Sequence, residues 1–144
     1  MALPKYVTIK RGNVEYISGL DRCEYTIKEL SRAALRDVGK FVCQKARKKI
    51  PRRSGKARKN MQYWVRSKQQ NPDLIVGYKK SGFYGGFFET GTASVPKIAP
   101  FYSTVSENID EIRKIEGQYL SAIEDENRAL GLIDEGEEVS DNAE

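Results

Sequence analysis

Residues 21–51 read DRCEYTIKELSRAALRDVGKFVCQKARKKIP, and this stretch decides the fold. Ile27, Leu30, Ala34, Val38, Phe41 and then Cys43 and Ala46 recur at helical spacing. Asp21 followed three residues later by Glu24 is an N-cap signal, and Pro51 stops the pattern. The spacing predicts one amphipathic helix over about 24–49 that buries Ile27, Leu30, Ala34, Val38 and Phe41. Cys23 and Cys43 bracket it. At about 1.5 Å rise per residue their Cα atoms stand roughly 30 Å apart, far beyond the ~7 Å reach of a disulfide, so both are expected as free thiols.

Working outward, Tyr6-Val7-Thr8-Ile9 and Val14-Glu15-Tyr16-Ile17 are β-prone and flank the turn residues Arg11-Gly12-Asn13, which predicts a hairpin over 5–18. Beyond the helix, residues 61–68 and 73–79 are strand-like around Gln69-Gln70-Asn71-Pro72, and Phe83 to Glu89 is expected to add a third strand. Residues 90–100 (TGTASVPKIAP) have no periodicity and two prolines, so they read as a loop. Thr104 and Glu107 form a capping-box signature ahead of Val105, Ile109, Ile112, Tyr119, Leu120 and Ile123, which predicts a second helix over about 104–128. The remainder is acidic and, from Gly131, poor in large apolar residues, so residues 129–144 are expected as a disordered tail after a single domain over 1–128. Strands and helices are segregated without a βαβ alternation. The expected class is therefore α+β, an antiparallel sheet packed with a long N-terminal helix and a C-terminal helix.

The chain of 144 residues has 25 Lys and Arg, 20 Asp and Glu, no His and two Cys. Without imidazole, Ser-His-Asp and Cys-His catalysis and His-ligated metal sites are excluded, and two Cys cannot build a Cys₄ metal cage. No cofactor is expected. No stretch approaches the ~18 uninterrupted apolar residues of a membrane span. The start, Met-Ala-Leu-Pro-Lys-Tyr, lacks the apolar core of a secretory signal, so synthesis and retention in the cytosol are expected.

Charge is unevenly placed: residues 1–100 hold 22 of the 25 basic residues and 7 acids, whereas residues 101–144 hold 3 and 13. Such polarity suits nucleic acid or copies of the same chain arranged head to tail, and it is also what two solvated faces give. Residues 45–59 (KARKKIPRRSGKARK) carry nine cations and no acid. That density fits phosphate contact, while Lys45, Arg47, Lys48 and Lys49 equally complement the C-terminal end of a helix dipole. Ser54-Gly55-Lys56 is not a nucleotide loop, because position 50 is Ile where the first glycine belongs and Ala57 stands where a magnesium-binding hydroxyl belongs. Residues 82–88 (GFYGGFF) mix glycine with aromatics, which serves base stacking or a strand that approaches another backbone closely. Glu89 is the only acid between Asp73 and Glu107, and a salt bridge to the basic loop is the expectation for it.

Three segments follow in order: Ile17-Ser18-Gly19-Leu20-Asp21 leading into the helix, Ile50-Pro51-Arg52-Arg53-Ser54-Gly55, and Phe87-Phe88-Glu89-Thr90-Gly91-Thr92 followed by Pro100-Phe101. Taken together they resemble one family, the small tail components that act in head-tail joining and tail completion of long-tailed phages. The resemblance covers about residues 17–125. It implies an α+β fold, no catalysis, and a place in the virion neck or tail as a ring, sixfold because tails are sixfold. The implied partners are further copies of the chain and neighbouring neck or tail proteins, with non-specific contact to packaged DNA and neither a membrane nor a small-molecule ligand. It also implies that assembly or channel contacts fall on Arg52, Arg53, Lys56, Arg58, Lys59, Glu89, Thr90, Gly91, Thr92, Pro100 and Phe101. A free-standing basic nucleic-acid-binding protein is the alternative.

Overall fold

The computed structural model describes residues 3–51, 55–66 and 71–138. Strands β1 (Val7–Arg11) and β2 (Val14–Ser18) form an antiparallel hairpin that runs into helix α1 (Leu20–Lys49). A single turn, α2 (Lys56–Lys59), precedes a second hairpin of β3 (Met61–Arg66) and β4 (Asp73–Tyr78). A 3₁₀ turn at Lys80–Gly82 leads to α3 (Gly85–Thr90), and α4 (Pro100–Glu107), α5 (Ile109–Leu120) and α6 (Glu126–Glu138) complete the chain. The class is α+β, with two separate two-stranded sheets.

Helix α1 is the spine, roughly 45 Å long at 1.5 Å per residue. Its first half packs Leu30, Ala33 and Ala34 against Tyr119, Ala129 and Ile133 of the C-terminal helices and Ala122 of the turn between them. Its second half packs Val38, Val42, Cys43 and Ala46 against Ile50, Met61 and Phe101, with Tyr63, Leu74, Val76 and Tyr78 from the second hairpin closing over them. Leu30, Ala34 and Val38 are buried as their spacing predicts, and Phe41 is half-buried. Ile27 is not buried, at 46% exposure. The covering helices select a stripe through Thr26, Leu30 and Ala33, and Ile27 falls beside it. The helix also starts earlier than expected. Gly19 is its N-cap without a side-chain bond, and Asp21 lies in the first turn, where a carboxylate complements the helix dipole.

The second hairpin has the predicted antiparallel pairing, with Tyr63 opposite Val76 and Trp64 opposite Ile75. Residues 67–70 of its turn lie outside the described residues. The expected third strand at Phe83–Glu89 is instead the turn into α3. Two close approaches force this. A Cβ at Gly82 would stand 2.3 Å from Asn60 Cβ, and one at Gly85 would stand 2.2 Å from the Tyr78 ring. The backbone hugs the end of β4 and coils, which turns Phe88 to the core and leaves Phe83, Tyr84 and Phe87 exposed.

The helix expected over 104–128 is three helices. Pro100 opens α4 at a position where its missing N–H costs nothing, and Thr104, expected as a cap, is fully buried in mid-helix. Asn108 breaks α4 from α5, its side-chain amide donating to the Thr104 carbonyl. Asp125 then caps α6, accepting from the N–H of Asn127 at 3.0 Å. This corrects the expected tail. From 129 to 138 the chain is helical, because Ala129 and Ile133 fall one turn apart and bury on α1, with Leu130 and Leu132 packed beside them. Residues 139–144 of that expectation lie outside the described residues.

Candidate assembly surface

The basic segment fastens the end of α1 before it offers charge to any partner. Arg47 donates to the Met61 carbonyl at 3.0 Å, and Lys49 donates to Ser103 Oγ at 2.9 Å and Glu107 Oε2 at 2.6 Å. Half-buried Arg58 donates twice to the Ile50 carbonyl, at 2.9 and 2.5 Å. Lys45 lies over the Phe41 ring. Lys48, Lys56 and Lys59 are exposed, and Arg52 and Arg53 lie outside the described residues.

Helix α2 is held to the 3₁₀ turn by Lys79 N–H donating to the Asn60 carbonyl at 2.8 Å and Ser81 Oγ to Asn60 Oδ1 at 2.7 Å. This brings Lys79 and Lys80 beside Lys56 and Lys59. Next to them the Phe83 ring packs against Tyr84 at a 42° tilt, with centroids 4.2 Å apart, and meets Phe87 edge-on at 6.4 Å. The result is a corner of exposed lysines and aromatics. Lys79 and Lys80 were missed as candidates, since their placement depends on the Asn60 contacts and not on a motif.

The second motif builds a bracket. Among the described residues Glu89 makes no ion pair with the basic segment. Its Oε1 accepts from the Phe101 N–H at 2.6 Å, which satisfies a free donor at the start of α4. The Phe88 carbonyl accepts from the N–H groups of Ile98 and Ala99 at 2.9 and 2.8 Å. Gly91 sits at φ +77°, and a Cβ there would stand 3.0 Å from Lys97 Cβ, so the Thr90-Gly91-Thr92 turn requires glycine. Gly55, at φ +70°, plays the same part where the chain enters α2. Thr90 and Thr92 are exposed, whereas Pro100 and Phe101 are buried, the Phe101 ring packing at 5.3 Å against that of Tyr78 with a tilt of 60°. Those last two are core residues of this chain. Burial, and secondarily the Glu89 charge, pushes the Tyr78 phenol well above its ordinary value.

The charge asymmetry of the sequence becomes one of space. Cations crowd the C-terminal end of α1 and α2, while Glu116, Glu126 and Asp134 on the helices packed along its N-terminal half, and Glu124 in the turn between them, supply acids. Among the described residues, no group of three or more His, Cys, Asp or Glu side chains is placed to hold a metal ion, and no helix is long and apolar enough to cross a membrane.

Comparison with curated proteins found no match, and neither did comparison with solved structures. A family model does match, over residues 15–91, with the description "Bacteriophage HK97-gp10, putative tail-component". The matched span runs from β2 through α1 and the second hairpin to Gly91, and so takes in both glycine turns and the basic segment. The chain belongs to the HK97-gp10-like family of phage tail components.

Proposed function

We propose that this tail component is a structural, non-enzymatic protein of the head-tail connector or tail-completion complex, assembling as a ring that joins tail to head. The observation that carries the reading is the separation of charge along α1 in a member of this family. A basic end and an acidic flank on one rigid spine are complementary from copy to copy, and a heterologous contact closes into a ring when the rotation per subunit permits. Six copies match a sixfold tail. Packaged DNA passing through the ring meets lysines that bind phosphate without reading bases. Assembly then takes place in the host cytoplasm, and the finished protein resides in the virion. Light scattering and electron microscopy of the purified chain test this. A closed ring, together with restored joining when the protein is added to heads and tails that lack it, is expected. A chain that stays single at all concentrations and leaves joining unchanged refutes it.

One observation favours a second reading, that of a nucleic-acid-binding protein: the exposed Phe83, Tyr84 and Phe87 beside Lys56, Lys59, Lys79 and Lys80. Bases stack on such rings while lysines neutralise phosphates. Oligonucleotide binding that survives physiological salt supports this second reading, and loss of binding there removes it.

A further inference from the structure

Val7, Ile9, Val14 and Tyr16 share one face of the β1–β2 hairpin, since Ile9 stands opposite Tyr16 and Arg11 opposite Val14. Among the described residues nothing covers that face. Every residue from Lys5 to Ile17 is exposed, these four by 47, 54, 69 and 61%. A two-stranded hairpin standing alone is marginal in water. Alternation of apolar and polar residues belongs to hairpins with one face packed.

A second bare apolar surface lies along α1. Leu20, Ile27, Leu120 and Ile123 are 72, 46, 63 and 42% exposed. They line adjoining hollows of about 270, 240 and 590 Å³ that connect through Ile27 and Ile123. Ile27 is the position where the helical pattern called for burial, so the sequence already carries the apolar stripe that this groove exposes. A chain's own hairpin reaches the groove at Tyr6, beside Gly19 and Arg22.

Charge selects the occupant. Glu24, Glu116, Glu124 and Glu126 border the groove, against Lys28 and an Arg22 already paired with Glu126. The hairpin carries Lys5, Lys10 and Arg11 against Glu15. We propose that the hairpin of one copy lies, apolar face down, in the acidic-rimmed groove of a second copy. The apolar faces then leave water together, and the cations at the hairpin reach the carboxylates at the rim. This rests on the self-assembly proposed above and gives the acidic flank the neighbour's hairpin as its occupant in place of the basic end of α1; it does not depend on sixfold closure.

The test uses two variants of the full chain, Ile9→Asp with Tyr16→Asp in the hairpin and Leu120→Asp in the groove. All three positions are exposed, so both variants keep the circular dichroism of the wild type. Where the wild type sediments as an oligomer, each variant alone is expected to sediment as one chain of 16.3 kDa. Mixed in equal amounts, they form a complex of two copies and no more, because one intact hairpin and one intact groove remain between them. Ile27→Asp serves as a second groove variant should the first unfold. An oligomer that persists in either variant, or a mixture that stays as single chains, overturns the docking and leaves the ring reading standing. A wild type that stops at two copies keeps the docking and removes the ring. A wild type that never associates overturns both.

Discussion

Replacing Ile133 with alanine tests whether α6 is part of the folded domain. Ile133 is 6% exposed and closes the cluster of Leu30, Ala33, Ala34, Tyr119, Ala122 and Ala129 over the first half of α1. Removing its three outer carbons forfeits their transfer from water and leaves a void that helix neighbours fill only in part. Such changes cost about 2 to 5 kcal/mol. Ile133 lies in the last element and α6 can shift toward α1, so the lower part of that range, about 2 to 3 kcal/mol, is expected. For a domain of this size each kcal/mol lowers the melting temperature by roughly 3 to 5 °C, which gives a fall of about 6 to 15 °C. Thermal and urea unfolding followed by circular dichroism measure it, with Asn127→Ala on the exposed side of the same helix as the control, expected within about 0.5 kcal/mol. A loss below about 0.5 kcal/mol for Ile133→Ala would show that α6 does not hold α1, and that the acidic tail begins near 129 after all.

The cations of the basic segment divide into two groups by stability. Arg58→Glu removes both donors from the Ile50 carbonyl and is expected to cost about 1 to 3 kcal/mol, whereas Lys56→Glu with Lys59→Glu leaves the melting temperature in place and weakens head-tail joining; equal melting temperatures for the two would refute the division. Alkaline pH should destabilise the fold, since burial raises the pKa of Cys43, Tyr63 and Tyr78 and so opposes their ionisation in the folded state. Each raised group leaves stability complete below its unfolded pKa, near 8.5 for cysteine and 10 for tyrosine, and drains it as pH climbs toward the folded value. Tyr78→Phe should flatten that decline at no cost near neutrality, because the buried Tyr78 hydroxyl has no hydrogen-bond partner among the described residues; an unchanged slope in pH-dependent urea unfolding counts against it.

Much of the candidate surface was legible because its motifs encode backbone requirements. Gly55 and Gly91 stand at positive φ, and a glycine at such a position is visible in any chain that must turn there. The roles of their neighbours were not legible. Arg58 and Lys49 look like free charge in a basic run, and only the fold shows them holding a carbonyl and a carboxylate. Pro100 and Phe101 look like part of an exposed loop motif, yet Glu89 of α3 and Tyr78 of β4 draw them into the core.

Local chemistry alone determined the long helix, both hairpins and the charge asymmetry, since each depends on residues a few positions apart: helical spacing through Leu30, Ala34 and Val38, β-prone runs around short turns, and acids concentrated after residue 100. Tertiary structure decided which face of α1 is dry, because Ile27 and Leu30 are equally apolar and only the placement of α5 and α6 separates them. It decided that residues 83–90 coil, since the close approach of Gly82 and Gly85 to Asn60 and Tyr78 arises between segments distant in the chain. It also made α6 a helix. Ala129, Leu130, Leu132 and Ile133 are too few to order a segment by themselves, and they do so only where α1 offers Leu30 and Ala33 to bury against.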